Sequence, residues 1–267
     1  MKKTIMMMIG AMLLLMMPTN SWAQTPFKQI LKTAKKGDAV AQTKVGNRYF
    51  YGDGVKQSYK KAAKWYSKAA DQGVTVAQFN LGVSYYFGDG VRQNYGKAVE
   101  CFTKAANKNH PKAQFFLGYC YAHGYGVEED KSQSFEWYLK AAKQGDEEAQ
   151  NNLGICYYYA LGIQKDHREA AKWFEKAQYK KLSAALTNYG LMRYEGVGML
   201  RNVRESIALF TEAADKGYAQ AQYYLGLCYL LGISFPEDKK LAIEYFKKAA
   251  EQGHKGANVE LEILGIK

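Results

Sequence analysis

The stretch AQFNLGVSYYFGDGVRQNYGKAVECFTKAANKN, residues 77–109, contains the pattern that decides the fold. Its first part has small and apolar residues at helical spacing, and the sequence GDG at 88–90 ends that pattern. Glycine is common at the left-handed C-terminal cap of a helix, because a side chain with a Cβ resists this conformation. A second helical stretch ends in the alanine pair at 105–106. The stretch therefore predicts a helix A, a glycine turn and a helix B.

The same hairpin recurs every 36 residues without an insertion. The dipeptide Ala77-Gln78 has counterparts at Ala41-Gln42, Ala113-Gln114, Ala149-Gln150, Ala185-Leu186, Ala221-Gln222 and Ala257-Asn258. A supersecondary unit repeated at a fixed period of this size indicates stacked helical repeats. We predict fourteen helices: a capping half-repeat at 24–36, six full repeats at 37–72, 73–108, 109–144, 145–180, 181–216 and 217–252, and a capping helix at 253–267.

The repeated pattern A-x-x-x-LG-x-x-Y-x-x-GxGV, followed by KA-x-x-W(Y/F)-x-KAA-x-x-G, resembles the Sel-one-like repeat family. The resemblance implies an all-α fold, a right-handed α-α superhelix (solenoid) of tetratricopeptide-like helical hairpins. It also implies a scaffold or adaptor for other proteins. Three repeats depart from the pattern: Ala160 replaces the first loop glycine, Arg193 replaces the tyrosine, and Ser234-Phe235-Pro236 replaces Gly-Val. We expect those turns to differ in shape from the others.

Residues 1–23 have the pattern of a secretory signal. Two lysines precede a 13-residue apolar run at 5–17, Pro18 ends the run, and the sequence SWA at 21–23 fits a small-x-small cleavage site. An apolar run of this length is shorter than the ~20 residues that span a bilayer. We therefore expect an exported monomer, periplasmic or secreted, that begins at Gln24 after cleavage and has no transmembrane segment.

The composition limits the class of protein. Of 267 residues, 48% are hydrophobic and 23% charged, which fits a folded soluble protein and argues against disorder, collagen and a polytopic membrane protein. The net charge of +12 is uneven: residues 24–108 have 15 Lys and Arg against 5 Asp and Glu, whereas residues 109–267 have 20 of each. The excess predicts either an acidic partner or anionic envelope surface for the N-terminal third, or a solvated lysine-rich face. We expect no nucleic-acid partner, since no matching motif is present.

A helical wheel separates two faces of helix A. One arc contains the repeated alanine, leucine and glycine and is the packing surface, with the glycine allowing a neighbouring helix to approach closely. In tetratricopeptide-like arrays, by resemblance, the opposite arc lines the concave groove. That arc is aromatic here, and exposed aromatic surface marks binding sites. The predicted partner-binding residues on it are Phe50, Phe79, Tyr86, Phe87, Phe115, Tyr119, His123, Tyr158, Tyr159, Tyr194 and Tyr223. The alternative is that some of these rings pack between neighbouring repeats.

In several repeats an asparagine precedes the Leu-Gly or Tyr-Gly pair of helix A. Asn80 and Asn152 complete the predicted binding site, because their side-chain amides can pair with the backbone of an extended peptide. Asn188 holds the same place in its repeat. The alternative is a hydrogen bond within the array.

No motif predicts catalysis, a metal or a cofactor. The sequence from Ser58 to Lys61 fits the S-x-x-K nucleophile motif, but the S-D-N and K-T-G partners are missing and Ser58 stands where a helix N-cap is needed. The histidines are not clustered as metal ligands. We therefore interpret the protein as a non-enzymatic scaffold that binds a peptide or protein segment in an aromatic groove. The alternatives are a β-lactam-interacting or hydrolysing enzyme, which the resemblance implies for some exported members, and a structural spacer in an envelope complex.

The cysteines are predicted to be free. Cys120, Cys156 and Cys228 share one repeat position, and equivalent positions on packed helices lie ~8–10 Å apart. That separation exceeds the ~7 Å limit between the Cα atoms of a disulfide. A bridge between Cys101 and Cys120 stays open at this point.

Overall fold

The computed structural model describes residues 26–266. Within this range the chain forms fourteen α-helices and no β-strand. The helices are α1 (Phe27–Lys35), α2 (Ala39–Tyr51), α3 (Tyr59–Asp71), α4 (Thr75–Phe87), α5 (Tyr95–Ala106), α6 (Pro111–His123), α7 (Lys131–Lys143), α8 (Glu147–Tyr159), α9 (His167–Gln178), α10 (Ser183–Glu195), α11 (Val203–Asp215), α12 (Ala219–Leu230), α13 (Lys239–Glu251) and α14 (Lys255–Ile263).

The chain forms two compact units. The first contains α1 to α6 and extends to residue 129, and the second contains α7 to α14 from residue 130 onward. Inside each unit every helix packs against the next one along the chain. The predicted all-α class, a solenoid of helical hairpins with a 36-residue period, is confirmed. None of the helices in the described residues is long and apolar enough to cross a membrane. The predicted signal segment lies outside these residues.

A glycine in the middle of five A helices sets how closely helix B approaches. A β-carbon on Gly82 of α4 would lie 2.7 Å from the ring of Phe102 on α5, closer than carbon atoms can pack. The same contact pairs Gly46 with Tyr66, Gly154 with Phe174, Gly190 with Phe210, and Gly226 with Phe246. The predicted role of this glycine is therefore confirmed, and an aromatic ring of helix B fills the space that it leaves.

Side-chain caps start the B helices at one repeated position. The hydroxyl of Ser58 accepts a hydrogen bond from the Lys61 N–H at 3.3 Å, as predicted. An oxygen at this position satisfies one of the free N–H groups in the first turn of a helix. The other caps follow at steps of 36 residues: Asn94, Asp130, Asp166, Asn202 and Asp238.

Left-handed residues end most of the A helices. Gly124 ends α6 with φ of 67°, and Ala160 ends α8 with φ of 59° and ψ of 43°. The expectation of a different turn at Ala160 is therefore wrong, because the alanine adopts the conformation of the glycine that it replaces. The last turn does differ, as expected: α12 ends at Leu230, and Leu231 has φ of −98°.

The second loop glycine is required by close packing. A β-carbon on Gly126 would overlap the backbone of Tyr95, at the start of the preceding helix B. The same approach occurs between Gly90 and Tyr59 in the first unit, and between Gly162 and Lys131 and between Gly198 and His167 in the second. Each of these loops therefore rests on the first turn of the preceding helix B.

We predict opposite effects from two substitutions at one repeat position. Gly124→Ala should lower the free energy of unfolding by about 1 kcal/mol, and Ala160→Gly should raise it by about as much, because only residues without a Cβ adopt a left-handed conformation at no steric penalty. A β-carbon on Gly124 meets no atom closer than 3.7 Å, so its effect is conformational. Urea unfolding measures both changes. A loss of stability in Ala160→Gly would contradict this explanation.

Histidines cap two of the A helices. The Nδ1 atom of His110 accepts from the Ala113 N–H at 3.2 Å, and its ring stacks on Phe79 at a centroid distance of 4.7 Å. Burial lowers the pKa of His110 to about 4. His254 repeats this arrangement, with its Nδ1 atom accepting from the backbone at 3.1 Å and its ring stacked on Tyr223 at 4.6 Å.

We predict that His110 makes the stability fall in acid. An imidazolium has no acceptor at Nδ1, so protonation removes the cap. Because the folded pKa lies below the unfolded value of about 6.5, the stabilisation is present above about pH 6.5 and is lost as the pH falls through about 4. Between pH 7 and 4 the parent should lose about 2–3 kcal/mol more than His110→Asn, in which the cap does not titrate. Denaturant unfolding between pH 7 and 4 measures the free energy of unfolding of both proteins. Equal losses of this free energy in the parent and in His110→Asn would disprove the prediction.

Candidate functional site

The first unit presents a line of aromatic rings along α6. We call Phe115, Tyr119, His123 and Tyr125 the α6 ridge. Tyr119 lies 6.3 Å from Phe115 and 4.2 Å from His123 between ring centroids, and Tyr125 in the following turn lies 5.6 Å from His123. His123 is exposed and the other three are half-buried. Three predicted residues, Phe115, Tyr119 and His123, are thus brought together on one surface.

Tyr125 of the ridge and its neighbour Tyr95 were not predicted as site residues. Tyr95, at the start of α5, stacks on Tyr125 with ring centroids 4.9 Å apart and ring planes 17° apart. A helical wheel of helix A alone contains neither residue. The available signal was that Tyr125 stands where Asp53 and Asp89 stand in the preceding loops.

The prediction that Phe79 and Asn80 belong to the binding site is wrong. Phe79 is only 2% exposed, with rings of Phe102 and Phe116 within 6.0 Å. Asn80 is 6% exposed, and its amide donates to Asn47 Oδ1 at 3.2 Å. Tyr66 donates to the same Asn47 oxygen at 2.8 Å. Both predicted residues therefore belong to the interior, and for Asn80 the alternative of a hydrogen bond within the array is the observed one.

Tyr86 is half-buried and is mainly a packing residue. Its ring is within 6.4 Å of five others, between centroids: those of Phe87, Tyr95, Phe102, Phe116 and Tyr125. Burial raises the pKa of its hydroxyl far above the ordinary range, so the group stays protonated. Tyr86 thus supports the α6 ridge through Tyr125.

Phe50 and Phe87 are half-buried at the ends of α2 and α4. Phe50 packs edge-on against Tyr59 at 5.1 Å, and Phe87 packs edge-on against Tyr86 at 4.9 Å. Their rings are partly accessible and stay candidates for partner contact. The Phe50 carbonyl also accepts from the Gln57 amide at 2.8 Å, which fixes the following loop.

The second unit has its own aromatic surface. Tyr159 is 63% exposed and lies 4.8 Å from Tyr158, whose ring lies 4.9 Å from His167. Tyr194 is half-buried, and its carbonyl accepts from Arg201 Nε at 2.9 Å.

Tyr223 and Asn152 are half-buried in the second unit. Tyr223 carries the stacked ring of His254 described above. The Asn152 side-chain oxygen accepts from Asn151 at 3.4 Å, and Asn151 in turn accepts from the Asn188 amide at 2.9 Å. Asparagine side chains therefore bond to one another here, as they do around Asn47, although Asn152 keeps partial exposure.

The groups considered for chemistry have structural roles in the described residues. Ser58 caps a helix, and the Lys61 ammonium lies 5.1 Å above the ring of Tyr49. All four cysteines are free, as predicted, so the open question of a bridge between Cys101 and Cys120 is answered. Burial raises their pKa values to about 11 or 12, which disfavours the reactive thiolate. Between residues 26 and 266, no three His, Cys, Asp or Glu side chains cluster as metal ligands.

The repeated hairpins match a known sequence family. The Sel1 repeat matches residues 39–74, 75–110, 111–146, 147–177, 183–218 and 219–254. The chain belongs to the Sel1 repeat family. Sel1 repeat proteins are generally non-enzymatic scaffolds for protein interactions. No protein with a curated description is significantly similar to this chain in sequence.

Solved structures of Sel1 repeat proteins resemble this one. A Sel1 repeat protein from Oxalobacter formigenes is 32% identical, with a TM-score of 0.73 over 89% of this chain and 69% of its own. A protective antigen present in uropathogenic Escherichia coli strains is 30% identical, with a TM-score of 0.62 over 90% of this chain, which spans only 59% of that protein. An immunity protein from Pseudomonas aeruginosa, 18% identical with a TM-score of 0.53 over 81% of this chain and 82% of its own, shares the fold.

We predict that the central tyrosines of the first unit differ in their structural roles. Tyr86→Ala should lower the free energy of unfolding by about 3 kcal/mol, because it removes a ring that packs against five others. Tyr119→Ala should lower it by about 1 kcal/mol, since that ring lies on the surface. Chemical denaturation of the two variants gives both values. A loss at Tyr119 as large as at Tyr86 would place Tyr119 in the core.

Proposed function

We propose that this Sel1 repeat protein is an exported scaffold that binds a peptide or protein segment along its aromatic A-helix surfaces. The observation that carries the proposal is the α6 ridge, where an exposed histidine and three half-buried rings form one continuous surface on a single helix and its turn. Contiguous exposed aromatic surface of this kind is characteristic of interaction sites.

The chemistry of the ridge suits recognition of a polypeptide. Burial raises the pKa of the Tyr119 hydroxyl, so the ring offers a neutral donor and acceptor together with an apolar face. Tyr95 stacks on Tyr125 and so helps to hold the ridge in place. Rings that are already held in place lose little conformational entropy on binding, which favours them as contact residues.

Export is part of this proposal and is supported by the pattern of residues 1–23, with its lysines, apolar run and small-x-small end. Fusion of residues 1–30 to alkaline phosphatase, which folds only after export, should give active enzyme in a bacterial host. The N-terminal sequence of the processed protein should begin at Gln24. Inactive reporter together with an unprocessed N-terminus would refute export.

We predict that the α6 ridge selects peptides and that its loss abolishes the selection. A library of random 16-residue peptides displayed on phage would be panned on the full chain. Peptides enriched on the parent should bind the double variant Tyr119→Ala/His123→Ala at least about tenfold more weakly, the size of effect expected when central contact residues are truncated.

The matched control is Tyr179→Ala. Tyr179 is 76% exposed and lies at the end of α9, outside the A helices. Unchanged binding to this variant would show that the loss is specific to the ridge. Equal binding of the enriched peptides to the ridge variant and the parent would refute the assignment of the site.

A further inference from the structure

A basic recess opens beside the start of α5. It is an open cavity of about 490 Å³, and we call it the second notch. Its lining consists of Tyr85, Val91, Arg92, Gln93, Asn94 and Lys97. The walls thus combine one aromatic ring, one apolar side chain, two amides and two cations, with no carboxylate among them.

The preceding repeat has equivalent residues one period earlier, with Lys56 in place of Arg92 and Ser58 in place of Asn94. We call these residues the first notch: Tyr49, Val55, Lys56, Gln57, Ser58 and Lys61. In both notches a lysine lies over the tyrosine ring, with Lys61 Nζ 5.1 Å from the centroid of Tyr49 and Lys97 Nζ 5.5 Å from that of Tyr85. The two notches therefore share the same pairing of a lysine with a tyrosine ring.

Both loops are held rigidly by a glutamine. The amide of Gln57 donates to the Phe50 carbonyl and to the Tyr59 hydroxyl, at 2.8 and 3.1 Å. Gln93 makes the same two bonds, to Tyr86 and Tyr95, at 2.8 and 3.0 Å. The cations next to these glutamines thus project from a fixed backbone, and a preorganised site loses less entropy on binding.

The cations of the two notches are not held in ion pairs. Lys56, Lys61, Arg92 and Lys97 are all exposed, and none forms an ion pair with another of the described residues. The nearby carboxylate of Asp53 is paired with Arg48 at 2.9 Å. Four cations are therefore available for an external anion.

The basic character is confined to these two repeats. The positions of Arg92 and Lys97 are occupied by Glu128 and Gln133 in the third repeat. In the later repeats they are occupied by Gln164 and Glu169, Leu200 and Glu205, and Pro236 and Leu241. Packing of the repeat therefore does not require cations at these positions.

We propose that the two notches together bind an acidic segment of a partner protein, each receiving one carboxylate side chain. The inference rests on the proposed function only in taking the ligand to be a polypeptide. Gly90 packs against Tyr59, so the loop with Arg92 lies on the first turn of α3, the turn that contains Lys61. Helices in neighbouring repeats are separated by about 10 Å, and three residues of a polyproline II chain cover about 9 Å and bring the side chain back to the same face. The mixed apolar and amide walls favour an entering side chain over a flat lipid surface or a phosphate backbone.

Fluorescence anisotropy on the full chain tests the proposal. The probe is a fluorescein-labelled 12-residue peptide with glutamate at every third position, and the same peptide with glutamine is its control. The parent should bind the glutamate peptide, and Lys61→Gln/Arg92→Gln/Lys97→Gln should bind it about tenfold more weakly, as expected from three exposed charge pairs. Lys239→Gln/Lys240→Gln/Lys247→Gln, which removes the same charge from the second unit, should bind like the parent.

Several outcomes would overturn the proposal. The first is that the parent does not bind the glutamate peptide, and the second is that both triple variants lose the same amount of affinity for it. The third is that the parent binds a twelve-nucleotide oligothymidylate or phosphatidylglycerol vesicles more tightly than the peptide. If the triple variant melts early, Arg92→Gln alone should still weaken binding, and unchanged binding there would also overturn the proposal.

The ridge variant separates this inference from the proposed function. Tyr119→Ala/His123→Ala should bind the glutamate peptide like the parent, because the notches do not contain those rings. If the ridge variant no longer binds the library peptides but still binds the glutamate peptide, both sites are supported. If the parent does not bind the glutamate peptide, while its binding of library peptides depends on the ridge, only the proposal for the notches is refuted.

Discussion

The close approach of a loop glycine to the preceding helix B is the constraint on which the rest of each unit depends. Gly90 and Gly126 lie where a β-carbon would overlap the backbone at the start of α3 and α5. The contact forces the loop of one repeat onto the first turn of the repeat before it, so the loop cannot lengthen or move outward without losing the contact. This explains why the period stays at 36 residues without an insertion. The helix A glycine has a complementary role, since it lets an aromatic ring of helix B enter the hairpin.

Because the glycine contacts fix the backbone of each loop, the side chains between these contacts can differ from repeat to repeat. Position 125 illustrates this, because the loop conformation is kept while an aspartate of the earlier repeats is exchanged for a tyrosine that completes the α6 ridge. The charge at the position of Arg92 likewise reverses to that of Glu128 one repeat later, without a change in the glycine contacts around it. The repeat therefore supplies a constant backbone, and binding properties are determined by a few loop and helix-end residues.

Much of the fold was predictable because its determinants are local. The glycine spacing, the cap at Ser58 and the free cysteines all follow from the sequence of one repeat and its period. The binding surface was less predictable, because a helical wheel assigns one inner and one outer face to a helix that is covered from several sides. Phe79 lies on the arc opposite the packing surface, but His110, which caps the next helix A, stacks on its ring and buries it. Tyr125 was missed because a helical wheel includes only the residues of a helix, and Tyr125 lies in a loop.

The two proposed sites in the first unit differ in their physical character, and this has consequences for a ligand that uses both. Exposed cations attract an acidic segment over about a Debye length and so mainly raise its association rate, an effect that salt weakens. Aromatic contacts act only at short range and mainly slow dissociation, with little dependence on salt. A ligand that carries acidic residues next to an apolar stretch would be captured through Arg92 and Lys97 and retained by Tyr119 and His123. The dissociation rate of such a ligand should then change little with salt while its association rate falls, whereas a ligand of the notches alone should also dissociate faster as the salt concentration rises.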